Sequence, residues 1–212
     1  MHSIKSIRSG IVNVYLVQEG NHAILIDTGM PAHKDKVLRV AREAGVRLIL
    51  LTHGHMDHVA NVKYLADSLN VPVALHSADA GLLTDQGSRY LHSRGAAGGV
   101  LAAGTRMMAK QSKSIIIGRD ILPAEELELQ DYGIQGEIVM LPGHTAGSIG
   151  VLLWGTDIIV GDALMHFGSP SASLIFEDEE LMKKSADKIT VLGDLQVHFG
   201  HGAPMKNQVW KR

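Results

Sequence analysis

Three imidazoles and a carboxylate fall within the short run His53-Gly54-His55-Met56-Asp57-His58. Imidazole nitrogen and carboxylate oxygen are ligands for zinc, iron and manganese. Histidines at i and i+2, followed by an adjacent Asp-His pair, can face two neighbouring metal positions. The apolar run Leu48 to Leu51 just before them reads as a buried strand, and nothing but ligation explains three histidines crowded at its exit. The same arrangement, glycine beside histidine or carboxylate at the end of an apolar run, recurs at Pro142-Gly143-His144, Gly161-Asp162 and Gly200-His201-Gly202. The combination His53, His55, Asp57, His58, His144, Asp162 and His201 therefore reads as one metal-binding set. His166, four residues after Asp162, is a candidate proton donor or substrate contact. Asp27, before Thr28-Gly29, is either a carboxylate that orients a ligand or a cap on its own turn. Ser148 reads as a structural hydroxyl, and His76 as a histidine of the surface or behind a ligand.

The elements that must position these groups alternate along the chain. Val12 to Val17 and His22 to Ile26 are β-rich and joined by Gly20-Asn21, a hairpin signal. A helix is expected from Pro31 to about Ala44, stopped by Gly45. The strand Leu48 to Leu51 follows, then a helix from His58 to Leu69 with Asp57 at its N-terminus. Val71 to Leu75 is a short strand, which Pro72 places at a sheet edge or a strand start. Ala78 to Ser114 lacks a clear strand and reads as a helical, glycine-punctuated insertion, with a helix over Val100 to Lys110. Met107 and Met108 there either line an adaptable apolar pocket or pack the insertion down. Arg89, Tyr90, His92 and Arg94 are either an anion contact or a solvated face. Beyond it, Ile115 to Ile117 is a strand or a packed loop, Leu127 and Leu129 and then Ile138 to Leu141 read as strands, and so do Ile149 to Trp154, Ile158 to Val160 and Val197 to Phe199. Glu177 to Val191 is an amphipathic helix. The two halves resemble a weak duplication whose strand ends converge on one cleft.

The bulk composition limits the function classes. The chain has 212 residues and is 45% hydrophobic, so a substantial core is available. Lys plus Arg is 20 and Asp plus Glu is 22, which gives no basic field for nucleic acid. There are no cysteines, so thiolate ligands and disulfides are excluded. Met1 to Ser9 has no apolar core of a signal peptide, and no run is long and apolar enough to span a membrane. A cytoplasmic protein with a small-molecule substrate, no nucleic-acid partner and no membrane partner is expected. A homo-oligomer is left open.

These motifs resemble those of the metallo-β-lactamase superfamily of metallohydrolases, from Asn13 to His201. The signature is His53 to His58, and the PGHTxG, GD and terminal GHG motifs follow. The resemblance implies an α/β fold, a four-layer αββα sandwich, as one domain over 1–212 with a helical insertion at about 78–114. It also implies two divalent ions, Zn(II) first, with Fe or Mn as alternatives. His53, His55 and His144 would hold the first ion. Asp57, His58 and His201 would hold the second, and Asp162 would bridge them. Within the superfamily, Pro142 to Ser148 is similar to glyoxalase II and related small hydrolases. The sequence ends soon after His201, without that enzyme's helical glutathione-binding domain. After Asp162 it lacks the tyrosine of acyl-homoserine-lactone hydrolases.

The implied activity is hydrolysis of a small thioester, ester or lactone by a metal-bridging hydroxide, with Asp57, Asp162 and His166 as catalytic candidates. A phosphodiesterase of the same fold and a non-enzymatic metal-binding protein are the alternatives. Phosphate-backbone binding needs clustered cations, yet His53 to Leu69 contains only Lys63 as Lys or Arg, and Leu141 to His166 contains neither.

Overall fold

The first half of the chain folds as a meander that feeds a parallel sheet. In the structure, a computed structural model that describes residues 1–118 and 120–211, strands β1 (His2–Ser9), β2 (Val12–Glu19) and β3 (His22–Ile26) pair antiparallel. Pro31 opens a short 3-10 turn that leads into α1 (Lys34–Glu43). Then come β4 (Ile49–Leu50), α2 (Met56–Val59), α3 (Val62–Leu69) and β5 (Val73–Leu75). The segment 78–114 holds α4 (Ala80–Thr84), β6 (His92–Ser93) and the long α5 (Gly95–Gln111), and β7 (Ile121–Pro123) follows. Strands β3, β4, β5 and β7 run parallel, and the sheet order is β1-β2-β3-β4-β5-β7.

The second half builds another sheet from β8 (Gly136–Met140), β9 (Ile149–Leu153) and β10 (Asp157–Ile159). A hairpin of β11 (Leu164–Phe167) and β12 (Ser169–Ala172) leaves it, and β13 (Ile175–Phe176) pairs with β6 of the insertion. Helix α6 (Glu179–Thr190) is capped by the Asp178 carboxylate, which accepts from the Leu181 N–H at 2.9 Å. Strands β14 (Gln196–His198) and β15 (Met205–Lys206) complete the order β15-β14-β10-β9-β8.

Side-chain alternation along the strands sorts the core into layers. On β2 and β3, Val14, Leu16, Ala23 and Leu25 face outward to Val37, Ala41, Leu65 and Ala66 of α1 and α3. Their neighbours Tyr15, Val17, Ile24 and Ile26 face inward and meet Ile149, Val151, Leu153 and Ile159 of the second sheet. Ile158, Val160 and Val197 face the opposite way, against Met182, Ala186 and Ile189 of α6. Three apolar layers between helix, sheet, sheet and helix are the expected αββα sandwich.

Several elements differ from the expectation, and for Pro72, Asp57 and the Ile115 to Ile117 run the structure selects one of the two expected alternatives: strand start, first-turn acid and packed loop. Strand β5 is interior, paired with β4 on one side and β7 on the other; Pro72 precedes it, and its carbonyl accepts from the Ile49 N–H at 3.1 Å. The helix expected from His58 to Leu69 is two helices, and Asn61 stands in the break. Its side-chain amide donates to the Thr28, Gly29 and Met30 carbonyls, each at 2.9 Å. Asp57 sits in the first turn of α2 without capping it. Ile115 and Ile117 are a packed loop against the outer core. Leu127 and Leu129 belong to irregular and 3-10 backbone. Helix α5 starts at Gly95, ahead of Val100. No described helix is long and apolar enough to cross a membrane.

Candidate metal centre

Strand direction brings the ligands together. Strands β3 and β4 are parallel, so Asp27 and the turn beginning at Thr52 leave the same edge of the first sheet. Strands β10 and β14 are parallel, and β8 is antiparallel to β9, which is antiparallel to β10. The exits of β8, β10 and β14, carrying His144, Asp162 and His201, therefore share one edge of the second sheet. The two edges are joined directly: the Ile149 N–H donates to the Thr52 carbonyl at 2.9 Å, and the Asn13 N–H to the Gly200 carbonyl at 2.8 Å.

All seven sequence-derived ligands meet in one cluster. Potential ligand atoms of His53, His55 and His144 lie within 4.8 Å of one another, as do those of Asp57, His58 and His201, and those of His53, His58 and Asp162. Asp162 stands between the first two groups. Its Oδ2 is 3.7 Å from His144 Nε2 and 3.2 Å from His201 Nε2, and its Oδ1 is 3.4 Å from His58 Nε2. Every member is buried except Asp57, which is 19% exposed.

The imidazoles are oriented from behind. His58 Nδ1 meets Asp27 Oδ2 at 2.8 Å, His144 Nδ1 meets the Ile175 carbonyl at 2.8 Å, and His201 Nδ1 meets the Ile11 carbonyl at 3.0 Å. Each contact makes Nδ1 the donor and leaves Nε2 facing the cluster. Thr52 Oγ1 lies 2.9 Å from Asp27 Oδ2 and 3.1 Å from His53 Nδ1, so the hydroxyl donates to the carboxylate and accepts from the ring. Asp27 therefore orients two histidines, which decides between its two readings; its φ of 62° is a strained conformation at the centre's base. His55 turns its Nδ1 inward, 2.9 Å from His144 Nε2.

The charges are strongly coupled. Burial, reinforced by His58 and His144, pushes the His53 pKa well below its ordinary value; burial and His144 bring His55 to about 3. For His58, burial opposes protonation, but Asp162 and Asp27 outweigh it and raise the pKa to about 9. His201 follows the same pattern, with Asp162 and Asp57 lifting it to about 11. Burial resists ionisation of Asp57, yet His58 and His201 hold it at about 2, and His201 and His58 likewise hold Asp162 well below the usual carboxylate range.

Asp79 is a residue that sequence reasoning did not single out. It is fully buried and accepts from the Gly54 N–H at 2.9 Å, the Gly147 N–H at 2.9 Å and Thr145 Oγ1 at 2.7 Å. It thus ties the turn of His53 to the turn of His144. Gly147 is required at that contact, because a Cβ there would lie 2.7 Å from Asp79 Cγ. Arg89 Nη1 meets Asp79 Oδ1 at 2.9 Å and Glu177 Oε1 at 3.2 Å, and Glu177 Oε2 accepts from the Ala146 N–H at 2.8 Å. The only sequence signal for Asp79 is a carboxylate soon after a strand end.

The remaining candidates lie elsewhere. His166 joins none of the ligand groups; its Nδ1 meets the Ala203 carbonyl at 2.7 Å, and its N–H donates to the His201 carbonyl at 3.1 Å. Ser148 Oγ accepts from the Thr145 N–H at 3.0 Å, as a structural hydroxyl would. His76 Nδ1 accepts from the Ala78 N–H at 3.0 Å at the surface. Met107 is 59% exposed, whereas Met108 lines a groove beside Met30 and Met56.

A family model described as the metallo-beta-lactamase superfamily matches residues 7–201. The chain belongs to the metallo-β-lactamase superfamily. A superfamily relative, the probable metallo-hydrolase YflN of Bacillus subtilis (strain 168), is 26% identical over 219 residues, covering 92% of this chain and 82% of the relative. The superfamily structure of TTHA1623 in a di-iron-bound form matches with a TM-score of 0.70 and 26% identity, over 98% of this chain and 96% of that one. The B3 metallo-β-lactamase BLEG-1 shares the fold, with a TM-score of 0.73 at 24% identity over 96% and 94% of the two chains.

Proposed function

We propose that the chain is a hydrolase that holds two divalent metal ions and cleaves a small acyl substrate, a thioester, ester or lactone. One observation carries this reading: His53 Nε2, His58 Nε2 and Asp162 Oδ1 are buried without a hydrogen-bond partner among the described residues. An unsatisfied buried polar atom costs about 1–3 kcal/mol, and three aimed into one cluster fit a metal centre and little else. His53, His55 and His144 would hold one ion, Asp57, His58 and His201 the other, and Asp162 is within reach of both sets. Bound there, the ions supply an activated water and a Lewis acid for the scissile carbonyl.

The chain's own residues set up that chemistry. Asp27, Thr52 and the Ile11 and Ile175 carbonyls fix which nitrogen of each imidazole faces the cluster before any ligand arrives. Asp79 holds the two ligand turns in register. In this reading His166 stays the candidate proton donor or substrate contact, and its backbone N–H also holds the His201 loop. Zinc is the first candidate for this nitrogen and oxygen set. Iron stands beside it, given the di-iron form of TTHA1623. The scarcity of Lys and Arg on the ligand turns favours an acyl substrate over a phosphodiester.

The test combines elemental analysis and anomalous scattering with kcat/KM on matched ester, thioester, lactone and phosphodiester substrates, before and after metal removal and restoration. The expected result is close to two ions per chain, and acyl turnover that disappears and returns with the metal. Asp162→Ala should lower both metal content and rate. A metal-dependent phosphodiester rate above every acyl rate would overturn the substrate class, and full metal content without turnover on a broad panel would favour a binding protein.

A further inference from the structure

A cavity of about 550 Å³ opens between the metal cluster and the insertion. That volume suits a small organic ligand. His55 forms its metal-side wall, Leu82 and Leu91 supply apolar surface, and α5 contributes Arg106 and Lys110. Residues i and i+4 share one helix face, so both cations border the same side of the cavity.

The charges around it sort themselves by partner. Arg89 is engaged by the Asp79 and Glu177 carboxylates at 2.9 Å and 3.2 Å, which removes it as a free anion contact. Arg94 points to Glu179 at 3.9 Å. Asp85 Oδ1 accepts from the Gly87 N–H of its own turn at 2.9 Å. Arg106 meets no carboxylate among the described residues. Its Nη2 donates to the Leu91 carbonyl at 2.6 Å, and its guanidinium lies 5.6 Å from the centre of the Tyr90 ring. These two contacts hold the guanidinium at the cavity while its other N–H groups stay available. Lys110 likewise has no carboxylate partner among the described residues.

We infer that this cavity seats the acyl part of the substrate, and that Arg106 with Lys110 selects acyl groups ending in a carboxylate. The reacting carbonyl would sit at the His55 wall, methylene groups would cover Leu82 and Leu91, and the terminal carboxylate would meet the planar N–H fork of Arg106, which matches its geometry. The kinetic part of this inference rests on the hydrolase reading above; the binding part does not.

The decisive comparison uses mono-(4-nitrophenyl) adipate and 4-nitrophenyl hexanoate, esters of equal chain length that differ by the terminal charge. With metal-loaded protein, and after division by the uncatalysed rates, kcat/KM should favour the adipate ester by about three- to tenfold, through KM, as expected for a charge contact with exposed side chains. The ratio should fall toward one in Arg106→Gln, fall in Lys110→Met, and be partly kept in Arg106→Lys. A purely structural role for Arg106 would slow both esters alike and leave the ratio in place. In parallel, the unreactive 4-nitroanilides of the same acids are titrated into metal-free protein, where the anionic one should bind more tightly and lose that advantage in Arg106→Gln. Should that variant not fold, Lys110→Met and Arg106→Lys carry the comparison. Equal handling of the two esters, or a ratio unmoved by the variants, overturns the inference while leaving the hydrolase reading intact. Selective binding of the anionic anilide through Arg106 with no turnover of either ester upholds the binding part and overturns the kinetic part for esters; the hydrolase reading is then decided by the broad substrate panel.

Discussion

Asp79 and Asp27 show how much of the centre depends on side chains that touch no ligand position. Replacing Asp79 by Ala leaves the Gly54 and Gly147 N–H groups, Thr145 Oγ1 and Arg89 without their shared acceptor. The expected cost is about 3–5 kcal/mol, the range for breaking a buried charged network, read by denaturant unfolding of the metal-free protein. A loss below about 1 kcal/mol would show that water replaces the carboxylate without consequence. Asp27→Asn keeps the shape but weakens the acceptor for His58 Nδ1 and Thr52. Metal affinity should drop about 10–100-fold, measured by chelator competition, with the fold retained. The members of the cluster were legible because their chemistry is local: His53 to His58 is one short run, and each later member sits beside glycine at a strand end. Asp79 was not, because the groups it ties together, Gly54, Thr145 and Gly147, lie 25 and more residues away and no spacing announces them.

Among the elements, those with a strong period were readable and those defined by a neighbour were not. Strands β2 and β3 and helices α1 and α6 carry their alternation or amphipathic face in sequence. Strand β1 does not: most of its side chains are exposed, and its pairing with β2 defines it. Strand β7 was hidden because the Ile115 to Ile117 run is more apolar than Ile121–Pro123, although only the latter pairs with β5. The glycine at the end of β14 illustrates an element-level constraint. A Cβ on Gly200 would collide with Asp162 Oδ1 and lie 2.8 Å from His58 Cε1. Gly200→Ala should therefore push the strand exit away from the cluster and reduce bound metal below two ions per chain, while far-ultraviolet circular dichroism stays that of the parent. Full metal content in that variant would mean the exit has slack that its hydrogen bonds to Asn13 and Gly161 do not suggest.

At the scale of the whole molecule, the convergence of strand exits from both halves on one cleft was foreseeable, but the order of the sheets was not. Strand order depends on which crossovers pass behind which strand, and one-dimensional periodicity does not encode that. The cluster that results couples folding to protons and, in the proposed function, to metal. In the metal-free protein, burial keeps His53 well below its ordinary pKa and His55 at about 3. Below about pH 6.5 the unfolded chain binds protons that these folded histidines refuse, so stability falls as the pH drops. His58 and His201 have the opposite sign, with folded values of about 9 and about 11 against the cost of burial. Their contribution is complete below about pH 6.5 and is lost as the pH rises through their folded values. Metal-free protein should therefore be most stable near pH 6.5, and thermal melts from about pH 5.5 to 9 would trace that maximum. Ligation reverses the alkaline limb, because His58 and His201 must give up their protons to bind metal. Loading at neutral pH should release about two protons per chain in a weakly buffered titration, metal affinity should rise with pH, and the stability maximum of the loaded protein should move to higher pH. Loading without proton release, or a metal-free maximum already above about pH 8, would show that Asp57 and Asp162 do not hold those two histidines protonated.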